Sequence, residues 1–140
     1  MKERYWIAVA EMVENQVNAV LFVKDLRAVA QFYSTALGMR VVASDEHHCL
    51  LNCGGFELVV HQIPKHIADT IVLERPPTPR VSGAIRLDYP VRSIAESRRA
   101  ARALGGKIDD KPPEWADPDA RFFFGYDPEG NQFGVREHGG

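Results

Sequence analysis

Residues 17–39 read VNAVLFVKDLRAVAQFYSTALGM, and residues 83–108 read GAIRLDYPVRSIAESRRAARALGGKI. Each stretch opens with a β-rich apolar run and continues into a helix. In the first, residues 17–23 form the run and Asp25 is a good N-cap. Leu26, Val29, Ala30, Tyr33, Ala36 and Leu37 follow at helical spacing, and Gly38 ends the helix. In the second, a strand runs into Ser93, which forms a capping box with Glu96. Ile94, Ala101 and Leu104 supply the apolar stripe, and Gly105-Gly106 closes it. The spacing predicts helices near 25–37 and 93–104.

The two stretches are copies. Val23 matches Val91 and Leu26 matches Ile94, both at an offset of 68 residues, and Gly38 matches Gly105 at 67. Further β-type runs follow each helix. They are Arg40–Ala43, Cys49–Cys53 and Phe56–Gln62 in the first half, and Lys107–Ile108, Arg121–Tyr126 and Gln132–Glu137 in the second. The chain is therefore a tandem βαβββ repeat, with a unit far too long for a solenoid. Residues 1–16 read as an N-terminal extension and 17–140 as a single domain. Within it, module 17–73 is joined to module 82–138 by the Pro-rich linker 74–81.

The bulk numbers exclude several functions. A chain of 140 residues suits one domain with a proper core. Seventeen Lys and Arg against nineteen Asp and Glu give a net charge of −2 without a basic block, which argues against a nucleic-acid partner. Arg98, Arg99 and Arg102 cluster at helical spacing, as on a solvated helix face. No apolar run is long enough to span a membrane. The N-terminal MKERYWIAVAEMVE is a poor secretory signal, so the expected location is cytoplasmic. Cys49 and Cys53 are too few for a disulfide framework. Four residues apart on one strand, they stand about 13 Å from each other, which also weakens HHCLLNC as a metal motif.

The repeat resembles the vicinal oxygen chelate superfamily, which contains glyoxalase I, extradiol dioxygenases, and fosfomycin- and bleomycin-resistance proteins. The resemblance covers residues 17–137. Its marks are Val23-Lys24-Asp25-Leu26 entering the first helix, Phe32-Tyr33 and Leu37-Gly38 closing it, and Asp127-Pro128-Glu129-Gly130-Asn131 before the last strand. It implies an α+β fold in which the repeats form a curved eight-stranded mixed sheet, an incomplete barrel around a cup. It also implies one divalent metal, with a ligand from each of four strands, and commonly a dimer. The four metal positions fall on Asn18, Glu57, Arg86 and Gly134. Only Glu57 is a good ligand. Arg86 carries a fixed charge, and a unit cation about 4 Å from it costs around 4 kcal/mol at an effective dielectric near 20, twice that for a divalent ion. The expectation is therefore no metal and no cofactor.

Strand alternation places Asn18, Val20, Phe22, Glu57, Val59, His61, Arg86, Asp88, Gln132, Gly134 and Arg136 on the cup face. Ala19, Leu21, Val23, Phe56, Leu58, Val60, Leu87, Tyr89, Phe133 and Val135 fall on the helix-packed face. Charges inside a cup must pair or meet a ligand. Arg86 either closes a salt bridge with Glu57 or Asp88, or anchors a small ligand that carries a polar or anionic group. In the second case, Glu57 is expected within reach of Arg86 or facing the same pocket, and Gly134 leaves room for the ligand or for Arg86. Trp115, in a Pro- and Asp-rich loop, is either a lid or a tryptophan packed on the surface. The candidate ligand-binding set is Asn18, Phe22, Glu57, His61, Arg86, Asp88, Arg136 and Trp115, with His61 and Glu57 as candidate catalytic groups. These residues suit a metal-independent protein that binds a small molecule, expected as a homodimer. The alternative is an enzyme of the glyoxalase or dioxygenase type, with a rebuilt metal site or with acid–base chemistry by His61 or Glu57.

Overall fold

The computed structural model describes residues 17–117, 119 and 121–138; the proposed N-terminal extension, residues 1–16, lies outside the described residues. Each half folds as a strand, a helix and three strands. The first half comprises β1 (Asn18–Val23), α1 (Leu26–Thr35), β2 (Arg40–Ser44), β3 (His48–Cys53) and β4 (Phe56–Gln62). A four-residue helix, α2 (Lys65–Ala68), follows. The second half comprises β5 (Leu87–Val91), α3 (Ile94–Ala103), β6 (Lys107–Ile108), β7 (Phe122–Tyr126) and β8 (Gln132–Glu137). Among the described residues, eight strands divide into two four-stranded mixed sheets, ordered β1-β4-β3-β2 and β5-β8-β7-β6, which form no closed barrel. In each, the first strand runs parallel to the last, and the other pairs are antiparallel.

The repeat extends to the way the helices begin. Asp25 accepts from the Ala28 amide and Ser93 from the Glu96 amide, both at 3.1 Å. The last residue of each parallel partner strand adds a second cap. Gln62, the register partner of Val23, accepts from the Leu26 amide at 2.9 Å. Glu137, the register partner of Val91, accepts from the Ile94 amide at 3.0 Å. Amides at a helix start have no partner within the helix, so each such oxygen satisfies a group that would otherwise depend on water.

One core joins the two halves. Val29, Phe32 and Tyr33 of α1 are buried with Leu51, Leu58 and Val60 of the first sheet and with Tyr89, Phe133 and Val135 of the second. The Phe32 ring lies 5.8 Å from Phe133, and the Tyr33 ring 5.7 Å from Tyr89. Gly106 permits this approach, because a Cβ there would stand 2.4 Å from the Phe32 ring. The helices run antiparallel. The start of α1 shares a cleft with the end of α3, and the end of α1 shares another with the start of α3. The helix-facing parity read from the sequence is the parity of this core. The faces bearing Glu57 and Arg86 are turned away from the helices.

Candidate functional site

The outer face of the first sheet is assembled by cross-strand register. Asn18 lies beside Glu57, Val20 beside Val59 and Phe22 beside His61. On the other side of β4, His48 lies beside His61, Leu50 beside Val59 and Asn52 beside Glu57. Glu57, Val59, Leu50 and His48 are buried, whereas Phe22 is 61% exposed. The His48 and His61 rings meet edge to face at 4.4 Å, and Phe22 tilts onto His61 at 5.2 Å.

Both imidazoles are oriented by a hydrogen bond. Nδ1 of His61 lies 2.9 Å from the carbonyl of Gln62. A carbonyl only accepts, so this nitrogen carries the hydrogen, and Nε2 of the neutral ring is left as the basic atom. Nδ1 of His48 lies 3.1 Å from Oδ1 of Asp45, which also accepts from the His47 and His48 amides at 2.8 Å each. Burial alone would raise the Asp45 carboxyl, but these amide and ring hydrogens outweigh it and hold it below its ordinary value. Oriented imidazoles beside a carboxylate are the components of acid–base chemistry.

The outer face of the second sheet has a different character. Arg86 donates to Asp88 through Nε to Oδ1 at 2.7 Å and Nη2 to Oδ2 at 3.0 Å. This bidentate pair is partly exposed, at 34% for the Arg86 side chain and 30% for Asp88. The guanidinium carbon lies 5.2 Å from the Phe122 ring and 4.9 Å from the Phe124 ring, within cation–π range. Trp115 extends the aromatic surface, with its ring 5.8 Å from Phe122 and 6.1 Å from Phe124 while 68% exposed. Of the two roles open to Trp115, the ring contacts show packing on this face. Arg136 is exposed and opposite Phe122 in register.

Of the two carboxylates open to Arg86, Asp88, two residues along its own segment, is the one that pairs with it, and Glu57 of the other module is not. The expectation of space beside Gly134 is corrected: a Cβ there would lie 2.3 Å from Oδ1 of Asp88 and 2.6 Å from the Phe122 ring. Glycine is required at 134 by the approach of these two side chains, and leaves no room for a ligand or for Arg86.

The same observations test the metal that the fold implies. The four positions offer an amide, one buried carboxylate, a guanidinium and no side chain. Asp88, the register partner of Gly134, is held by Arg86. This donor set does not suit a divalent ion. Among the described residues, no group of three or more His, Cys, Asp or Glu side chains is placed to hold one.

The motif Asp127–Asn131 is a clasp. Oδ1 of Asp127 accepts from the amides of Glu129 and Asn131 at 2.8 and 3.1 Å, and Oδ2 accepts from the Tyr33 hydroxyl at 2.9 Å. Glu129 then accepts from the amides of Lys24 and Asp25 at 2.8 and 2.7 Å. The turn before the last strand thus holds the last turn of α1 and the residues that lead into it, and ties the second module to the first.

His48, Asp45, Phe122 and Phe124 are absent from the sequence-derived site. The missed signal was register. Once β3 and β4 pair around Gly54-Gly55, His48 must face His61. In Phe122-Phe123-Phe124 alternation puts the outer two rings on one face, while Phe123 packs on the core side.

The family model described as a glyoxalase-like domain matches residues 18–136, and the chain belongs to that family. No curated protein sequence matches it. Among solved structures, the chain is similar to a glyoxalase/bleomycin resistance protein from Albidiferax ferrireducens T118, at TM-score 0.59 and 17% identity over 91% of this chain and 100% of that one. It is similar to the fosfomycin resistance protein FosX from Listeria monocytogenes, at 0.61 and 14% over 91% and 94%. It is also similar to a glyoxalase-related enzyme from Fulvimarina pelagi, at 0.58 and 22% over 90% and 89%. These likenesses establish the fold, and with the family model they bear out the resemblance to the vicinal oxygen chelate superfamily. No helix among the described residues is long and apolar enough to cross a membrane.

Proposed function

We propose that this chain is a metal-independent, cytoplasmic small-molecule-binding protein, with residues 17–140 as one binding domain. The observation that carries this reading is the Arg86–Asp88 pair, set on Phe122 and Phe124 where the fold implies a metal. A neutralised cation, aromatic rings and a few oriented polar groups are what small-molecule sites combine. Asn18, Phe22, Glu57 and His61 on the other outer face, with Arg136 and Trp115, complete the proposed surface. Native mass spectrometry of protein purified without added metal tests it, with the expected result of no stoichiometric ion. Zn²⁺, Ni²⁺ and Mn²⁺ are expected to leave the melting temperature within about a degree, because tight binding to the native state raises it by several. A large, specific rise with any of them would refute the reading.

The outer faces lie on the sides away from the shared helices, so a cup that joins them takes one face from each of two chains. The proposed assembly is a two-fold homodimer, the commonest closure. Its support is the row of exposed apolar side chains near the β1 and β5 edges: Val17, Val20, Phe22, Val81 and Ile85. Sedimentation at micromolar concentration is expected to give twice 15.7 kDa; a monomer alone would contradict it.

A second reading rests on the fixed tautomer of His61 beside His48 and the buried Glu57. These groups suit metal-free proton transfer, with His61 as base through Nε2. His61→Asn, which keeps a polar group but removes the base, separates the two readings. Binding that survives while turnover is abolished favours an enzyme.

A further inference from the structure

The second sheet's outer face has a composition that narrows the ligand, on the condition that the binding reading above holds. The Arg86 guanidinium already lies over the rings of Phe122 and Phe124, so their nearer faces are taken. Two hydrogen bonds to Asp88 fix its orientation. What the surface offers to solvent is the rest of that pinned guanidinium and the ring of Trp115, which is supported by both phenylalanines. The three ring planes are inclined to one another by 43–79°, so the phenylalanines act as supports, and the flat faces left for a ligand are those of the exposed indole and the guanidinium, a platform one or two rings wide.

We propose that this platform binds a planar, electron-rich aromatic ring, of the phenol or fused-phenol class. Guanidinium and indole both stack on flat π systems, and the guanidinium favours an electron-rich one. Because Asp88 cancels the charge of Arg86, an anionic group is not what selects the ligand. Rigid aromatic anchors also lose little side-chain freedom on binding. A protein partner is a poorer match. Three partly buried rings, each contributing at most about 150–250 Å² in total, fall short of the roughly 800 Å² per side that a stable protein interface buries.

The test uses the full chain carrying Trp6→Phe, which leaves Trp115 as its single tryptophan. The probes are 2-naphthol and its saturated twin decahydro-2-naphthol, of similar apolar size but not flat. Binding is followed by Trp115 fluorescence and, independently, by calorimetry. The expected result is that naphthol binds at least tenfold more tightly than the saturated twin. Trp115→Leu and Phe124→Leu should each weaken naphthol by about tenfold and leave the twin unchanged. Trp115 is largely exposed, so Trp115→Leu is expected to melt within a few degrees of the parent, and a circular dichroism melt checks this. Equal binding of both probes, no binding of either, or naphthol binding unaffected by Trp115→Leu would each overturn the proposal. Native mass spectrometry judges the broader reading separately: a carried-over non-aromatic ligand would sink this inference and leave that reading standing.

Discussion

The outer face of the first sheet is closed along β3 and β4 and exposed only at β1, whereas that of the second is open throughout the Arg86 and Trp115 region. On the first, Glu57, Val59, Leu50 and His48 expose 1–3% of their surface. On the second, Phe122 and Phe124 are half-buried, the Arg86–Asp88 pair is a third exposed, and Trp115 stands out at 68%. Yet the two sheets share strand order, helix placement and even the side-chain cap at the end of the last strand. The inner faces had to stay alike because each packs on its own module's helix and both meet α1 in one core. The outer faces carry no such common duty, so one became a set of oriented imidazoles and the other an aromatic platform.

The clasp offers the sharpest way to break the comparison. The turn joining β7 to β8 holds α1 through Asp127 and Glu129, whereas the matching turn of the first module is Gly54-Gly55, with no side chain to give. Asp127→Ala strips an acceptor from the Tyr33 hydroxyl and from two amides, leaving buried donors unpaired. The expected loss is roughly 3 kcal/mol or more in urea unfolding. Near-neutral behaviour would mean that the modules are held by their apolar contact alone.

A smaller effect is expected at Arg86, where the contrast between open and closed faces becomes quantitative. Arg86→Met keeps most of the volume and removes the charge. Were the partner a buried carboxylate, the loss would be several kcal/mol. The partner is the partly exposed Asp88, so the expected change is within about 1 kcal/mol. A loss of several kcal/mol would show that the second face is covered in solution.

The smallest effect belongs to Asp45. Its carboxyl is held below the ordinary value, so the folded state binds its proton less readily than the unfolded chain. Its stabilisation is therefore fully present above the unfolded value, near pH 4, and is lost as pH falls through the folded one. Asp45→Asn should lower the melting temperature slightly at pH 7, and the gap should close towards pH 3. A gap that stays constant over that range would mean that charge plays no part in orienting His48.

The candidate site was only partly readable along the chain. Alternation assigned the face of each residue on β1, β4, β5 and β8, because period two is fixed by backbone geometry. It could not say which carboxylate would meet Arg86. Asp88 wins because it lies two residues along the same face, within reach of both guanidinium nitrogens. Nor could it find His48, whose partner is 13 residues away across a hairpin, or the stack of Trp115 on Phe122 and Phe124, which depends on where a loop folds back.

The sequence by itself determined the tandem βαβββ order, both helix caps, the core face of each sheet and the absence of a usable ligand at 134. All of these follow from local periodicity and from the chemistry of single residues. Tertiary structure decided that the eight strands divide into two sheets, that helix α1 bridges them through Phe32 and Tyr33, and that Asp127 and Glu129 serve as a clasp. Those outcomes depend on contacts between residues as much as 105 positions apart, such as Lys24 with Glu129. Neither residue's local pattern specifies the other, and only the packed core brings them together.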